Sequence, residues 1–557
     1  MNKKSFTKVK TPSLGGGTGE VFALLLLLLL TQALNAKTIK VLAIGNSFSD
    51  DAVEHYLYEL ALEGGDSLII GNAYRGGQGY ESHWKVVEEN KADFEYRKIV
   101  GGNHTNERRT LLNCLEDEPW DIITFQQVSQ DAGDYSTYEP WLSRLIGYVQ
   151  QHATNRAVRF ALHRTWAYAQ NSDHWGFKKY QNDQQRMFSD IVAATNKARK
   201  AHRELQLLIP AGTAIQNGRT SFVGDRFCRD GYHLSFLLGR YTAALTWLEC
   251  ITGQTAVGKK YAPTGLNEWQ IAVAQQAAHA AVARPDKVTT INVKPEGMDA
   301  DGYVLLRDVP YRTEFVSDYQ RQQDKMDIYL PTRNEAFPTV VWFHGGGMIV
   351  GGKHIPTELQ KQGIAVIGVG YSLCAGDNKD PNAPNRYVTT ADGVDDGAAA
   401  TAWVLKHIAE YGGDPKKVYI SGHSAGGYIT MLIGLDKSRV AKYGEDVDKV
   451  AALVPFSGQA ITHYQNRRDR GISDLQPIID KEAPLYYVRP DTPPIHLICG
   501  QRERELLGRY EENAYLWRML QLCGHKNAFL YELDGFDHGT MYGPAHSILL
   551  DCIRNKK

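Results

Sequence analysis

The stretch VYISGHSAGGYIT, residues 418–430, limits the fold more than any other part of the chain. A β-branched run stops at Gly422-His423-Ser424-Ala425-Gly426 and passes directly into a segment of helical length. A serine on so sharp a strand-to-helix turn leaves no room for side chains two positions either side, which is why glycines stand there. Such a turn belongs to a parallel sheet covered by helices, and it puts the serine at a strand's carboxyl end. The helix N-terminus then faces the place where negative charge would develop.

The surroundings of Ser424 agree with this. Upstream, TVVWFHGGGMIVGG sets His344 and Gly345 to Gly347 just past an apolar strand, where free backbone N–H groups can face an oxyanion. Downstream, DGFDHGTM puts His538 in a loop after the last strand, and PIHLICGQRERE ends another strand just before Glu503 and Glu505. In these residues and in the order serine, acid, histidine, most of residues 305–557 resembles the HGGG-type carboxylesterases and lipases of the α/β-hydrolase fold. The resemblance implies Ser424 as nucleophile, His538 as its base, and the N–H groups of Gly346, Gly347 and Ala425 as oxyanion donors. Many relatives carry Asp at the acid position. Here Glu503 is the expected acid, with Glu505 in reserve.

A second serine stands in VLAIGNSFSDDAV, residues 41–53, where Ser47 follows an apolar strand and precedes a helix start. Ser and Asp are also good helix caps, so this stretch alone does not distinguish a nucleophile from a cap. Further on, FCRDGYHLSF offers Asp230 and His233 three positions apart in one loop, a spacing that lets the carboxylate steer the imidazole towards Ser47. Gly-x-Ser at the first strand and a late Asp-x-x-His resemble the SGNH (GDSL-type) hydrolase superfamily over most of residues 38–255. The resemblance implies an oxyanion hole completed by a glycine and an Asn side chain. Gly76 or Gly77 in NAYRGGQGY can supply the glycine, with Gly77 preferred. No Asn stands at the equivalent strand end, where Gln126 in WDIITFQQVSQ offers the same amide one methylene further out. Asn46 also replaces the usual Asp. His163 and Trp166 are read as packing residues.

At 557 residues the chain is too long for one ordinary core, and both halves alternate β-branched runs with helical stretches. The expected class is α/β throughout: an SGNH-like (flavodoxin-like) three-layer domain over 37–260, a helix and linker over 261–300, and an α/β-hydrolase domain over 301–557. Residues 1–36 read as an export signal, with Lys3, Lys4, Lys8 and Lys10 before VFALLLLLLL, too short for a spanning helix. Seven cysteines show no metal-ligand spacing, and an odd number cannot all pair. The 62 basic and 63 acidic residues nearly cancel, so no nucleic-acid partner is expected.

Two ester-cleaving folds fused in one exported chain imply a substrate carrying more than one ester. The expectation is a carbohydrate esterase acting on acylated plant cell-wall polysaccharide, removing acetyl or feruloyl groups through acyl-enzyme intermediates, with no metal or cofactor and no stable membrane insertion. Exopeptidase chemistry in the second half, or a first half that only binds glycan, remains open. The oligomeric state is not legible.

Overall fold

A computed structural model describes residues 37–378 and 380–554; the expected export signal lies outside the described residues. The first sheet contains β1 (Thr38–Gly45), β2 (Ser67–Tyr74), β3 (Phe94–Val100), β4 (Asn103–Arg109), β5 (Ile122–Phe125), β6 (Arg159–His163) and β7 (Leu205–Ile209). Their spatial order is β4-β3-β2-β1-β5-β6-β7. Strands β2, β1, β5, β6 and β7 run parallel, and β3 and β4 fold back as an antiparallel hairpin. Strand β1 shows why this region must be three layers thick. Val41 and Ala43 enter one buried cluster while Leu42 and Ile44 enter another, so both faces of the strand are covered. The chain leaves β1 between β2 and β5, where the winding direction reverses and ligand sites form in such sheets.

The outer strand of the hairpin β3–β4 carries no apolar signal. Strand β4 is exposed, and its turn rests on Gly101 and Gly102 at φ +59° and +80°. Charged residues on an edge strand discourage pairing with other chains, and they also remove the alternation that would mark it as a strand. Helix Glu268–Ala283, assigned from the sequence to a linker region, instead completes the first core. Its Val273, Ala274, Ala277 and Ala278 share one cluster with Leu245 and Leu248 of helix Leu238–Thr252. Beyond it, buried Arg164 donates to Pro285 O at 2.6 Å, and Thr289 N donates to Asn217 Oδ1 at 2.6 Å.

The second sheet is built from β8 (Tyr303–Pro310), β9 (Lys325–Pro331), β10 (Phe337–Phe343), β11 (Ala365–Val369), β12 (Gly413–His423), β13 (Ala452–Phe456), β14 (Ile495–Gly500) and β15 (Ala528–Leu533). The order is β15-β14-β13-β12-β10-β11-β9-β8, with only the pairs β8–β9 and β9–β11 antiparallel. This is the expected α/β-hydrolase sheet. Strand β8 escapes a sequence reading because its register breaks between Leu306 and Val309, where Asp308 stands at φ +57°. Val341 and Phe343 of β10 face one cluster, and Val340 and Trp342 the other.

The turn between β9 and β10 reaches the first domain. Glu335 accepts from Leu238 N at 2.9 Å and from Ser235 Oγ at 3.1 Å, and Asn334 Oδ1 accepts from Arg226 at 2.8 Å. Among the described residues no helix is long and apolar enough to cross a membrane. The seven cysteines are free thiols.

Candidate active sites

Strand β12 delivers Ser424 at φ +57° and ψ −111°, a conformation that L residues rarely adopt and that matches the strained turn read from the glycines. A bond from Ser424 N to Phe456 O, 2.8 Å, ties the turn to β13, and helix Ala425–Leu435 starts at the next residue. A side chain at Gly426 would overlap Phe343 O of β10. His538 Nε2 lies 3.0 Å from Ser424 Oγ, and its Nδ1 lies 2.9 Å from Glu505 Oε2. A carboxylate only accepts, so Nδ1 carries the proton and Nε2 is left to accept from the serine.

The carboxylate that meets His538 is Glu505 and not the expected Glu503, and the turn after β14 explains the difference. Arg504 N and Glu505 N both donate to Gln501 O, at 2.8 and 2.9 Å, which curls position 505 back beneath the strand end. There Gly500 N donates to Glu505 Oε1 at 2.9 Å, whereas Glu503 is exposed and meets only Gln501 Nε2 at 3.1 Å. Burial works to raise the Glu505 pKa, but the bonds from His538, Ser457 and Gly500 N outweigh it and hold the carboxyl at about 2.

Three residues that the sequence reading left out complete this arrangement. Ser457, at φ +47°, donates to Glu505 Oε1 at 2.7 Å and lies 2.9 Å from His538 Nδ1, and buried Arg509 donates to its carbonyl. His423 is lowered to about 4, by burial and then by the neighbouring His538, so it is neutral near pH 7, and its Nε2 donates to His538 O at 2.8 Å. Tyr464 stands over Gly347, its hydroxyl 3.4 Å from Gly347 O. His423 could have been suspected as the variable position of the serine motif; Ser457 and Tyr464 carry no local signal.

Gly346 and Gly347 adopt φ +115° and +64°. Among the described residues their N–H groups and that of Ala425 donate to no backbone carbonyl, which leaves them available to a ligand. The loop is held from behind by His344, which stacks on Tyr371 at 4.3 Å, and Tyr371 OH donates to His344 O at 2.8 Å. Beside Tyr464 and Leu506 opens a cavity of about 770 Å³ that is also lined by Leu475, Ile479, Leu507 and Tyr515.

In the first domain Ser47 opens helix Ser47–Val53, and Asn46 caps it by accepting from Phe48 N at 3.0 Å. His233 Nε2 lies 2.9 Å from Ser47 Oγ, and His233 Nδ1 lies 2.7 Å from Asp230 Oδ2. Asp230 also accepts from the N–H groups of His233 and Tyr232, at 2.7 and 3.2 Å. Burial opposes ionisation of Asp230, yet these bonds win and keep its carboxyl below the ordinary value. The loop bearing His233 is pinned to the serine helix by Asp51, a fully buried residue that reads from the sequence as no more than a helix cap. Asp51 accepts from Leu234 N at 2.8 Å, Arg229 at 2.9 Å and Arg240 at 2.8 Å.

The expected oxyanion role of Gln126 does not fit its placement. Gln126 Nε2 donates to Asn46 Oδ1 at 2.7 Å, and its Oε1 accepts from His163 Nδ1 at 2.7 Å. This buried chain fixes the Asn46 cap and engages the Gln126 amide at both ends. Gly77, at φ +69°, lines a cavity of about 530 Å³ with Gln127 and Trp141, and Asn46 Nδ2 donates to Gln78 O at 2.9 Å, which ties this turn to the residue preceding Ser47. Trp166 stacks on Phe48 with centroids 4.3 Å apart, a packing role as expected.

Residues 40–281 match DUF4886, a domain of unknown function, and residues 326–509 match BD-FAE. A DUF4886 family protein from Bacteroides uniformis, solved by crystallography, is 44% identical with a TM-score of 0.44, over 46% of this chain and 98% of that one. The isoprenylcysteine alpha-carbonyl methylesterase of Arabidopsis thaliana is 28% identical over 159 residues, 26% of this chain and 35% of that protein. Carboxylesterase 1E of Mus musculus is 28% identical over 194 residues, 33% of this chain and 32% of that protein. The chain thus spans about a third of the length of these two curated relatives.

Proposed function

The chain belongs to the DUF4886 family through its N-terminal half and carries a BD-FAE domain of the α/β-hydrolase fold in its C-terminal half, and on that premise we propose that it is a serine carboxylic-ester hydrolase with two nucleophiles. The observation that carries this reading is a repeated geometry: on two unrelated sheets a serine Oγ meets a histidine Nε2 whose Nδ1 meets a carboxylate.

At the second site Ser424 Oγ bonds to the acyl carbon as its proton passes to His538 Nε2. The carbonyl electrons move onto oxygen, which the N–H groups of Gly346, Gly347 and Ala425 receive. Collapse expels the alcohol, which takes the proton from His538, and water repeats the sequence to free the acid. Glu505 remains ionised throughout and stabilises the imidazolium. Ser47, His233 and Asp230 repeat the same steps in the first domain. At the second site every protein group this chemistry requires is a side chain or backbone N–H already described.

The substrate is an acylated plant cell-wall glycan met after export. The tyrosines and aliphatic side chains of the cavity beside Tyr464, whose hydroxyl stands over Gly347, suit a flat aromatic acyl group such as feruloyl. Ser47, backed by the tight Phe48–Trp166 stack, is assigned the smaller acetyl ester. Treatment with a fluorophosphonate followed by intact-mass measurement tests the pair of nucleophiles. Two adducts are expected on the parent protein, one on Ser47→Ala or Ser424→Ala, and none on the double variant. A parent that never gains the second adduct would remove one serine from the proposal.

A further inference from the structure

A cleft of about 720 Å³ lies between the two domains, within the size range of small-molecule sites. One wall comes from the loops around Asp173 and Asp230 of the first domain, the other from Asn334, Glu335 and Lys417 of the second. The cleft meets the Ser47 relay at its carboxylate, Asp230. Asp230 lines it with its side chain 41% exposed, while its other edge holds His233.

The lining is polar without being charged overall, with four carboxylates against four basic side chains. Much of that charge is already spent within the protein: Asp225 pairs with Arg219 at 2.7 Å, Arg229 with Asp51 at 2.9 Å, and Arg226 donates to Asn334 at 2.8 Å. Little net field remains to attract a phosphate or a cation. What remains, Asn171, Asp173, Arg333 and Lys417 among the lining side chains, offers hydrogen-bond donors and acceptors that a neutral polyhydroxyl molecule can satisfy.

An aromatic run adjoins it. Tyr232 packs on His233 at 4.2 Å, His174 on Tyr232 at 4.7 Å, and Trp175 follows with 63% of its surface exposed. Asp173, on the cleft wall, directly precedes His174 in the chain. A pyranose ring has C–H faces that lie against an aromatic plane and hydroxyls that need polar partners at its edge, so it matches both features together. We infer that this cleft and its aromatic rim bind the neutral oligosaccharide backbone of the substrate and bring its ester to Ser47, the second domain supplying one wall of the first domain's site. The inference rests on the reading of the chain as a glycan esterase, and its test needs no turnover.

The full-length Ser47→Ala/Ser424→Ala protein is titrated calorimetrically with xylohexaose, then again with Trp175→Ala or Lys417→Ala added. Both added substitutions are of residues outside the relays. Each is expected to weaken binding about tenfold, the equivalent of ~1.4 kcal/mol, with an unchanged melting temperature. Absence of binding, or binding that neither substitution weakens, overturns the inference; loss at Trp175 alone overturns the part given to the second domain. Turnover of p-nitrophenyl acetate by the Ser424→Ala protein reads Ser47 separately. A silent Ser47 with rim-dependent xylohexaose binding would support the cleft and overturn the esterase reading of the first domain.

Discussion

Glu503 and Glu505 differ by two positions and by nearly everything that matters chemically. Glu505 meets His538, Ser457 and Gly500 N, while Glu503 faces solvent. Glu505→Gln should therefore lower turnover at Ser424 by roughly 10³–10⁴-fold, as loss of an orienting carboxylate does elsewhere, and Glu503→Gln should leave it unchanged. Steady-state kinetics on an ester cleaved only at Ser424 checks both. The same bonds carry a pH dependence. With the Glu505 carboxyl held at about 2 against an ordinary 4.5, its contribution to stability is complete above pH 4.5 and is lost as pH falls towards 2. The size is about 3 kcal/mol for a shift of this order. Acid-unfolding curves of the second domain should show that loss, and Glu505→Gln should flatten it. Ser424, His538, Ser47, Asp230 and His233 were all legible as residues because their spacing to strand ends is local. The choice between Glu503 and Glu505 was not, because it depends on a turn that curls back to Gln501 O.

At the scale of elements, the central strands announced themselves and the edge strands β4 and β8 did not. Strands β1, β10 and β12 carry the apolar runs VLAI, VVWF and VYI, which are covered on both faces. Strands β4 and β8 lie at sheet edges, where charge and a bulge serve against unwanted pairing and erase the period-two pattern. The serine helix of the first domain depends on a contact equally silent in sequence. Asp51 looks like one more acidic residue of SFSDDAV, yet it is buried and holds Leu234, Arg229 and Arg240 against that helix. Asp51→Ala leaves two guanidinium groups without their shared partner, and should cost about 3 kcal/mol as a lowered urea midpoint of the first domain. Ser47-dependent turnover should fall with it, because the His233 loop loses its anchor, while Ser424-dependent turnover should remain.

At the scale of the whole molecule, the two sheets each have their own cores, yet they are not independent neighbours. Helix Leu238–Thr252 has no side-chain cap of its own, and Glu335 of the second domain accepts from its Leu238 N instead. The helix begins five residues after His233, so the second domain stands directly behind the first relay. None of this could be read from composition or periodicity, since a carboxylate nearly a hundred residues away gives no local sign of its partner. The division into two α/β domains could be read, and so could the serines that head them. The most direct test of two separate esterase sites is to follow acetate from acetylated xylan and ferulate from a feruloylated arabinose oligosaccharide with the parent, Ser47→Ala, Ser424→Ala and double-variant proteins. Each single variant should lose one activity and keep the other. If Ser424→Ala abolished both releases and Ser47→Ala neither, Ser47 would be no more than the first residue of a helix.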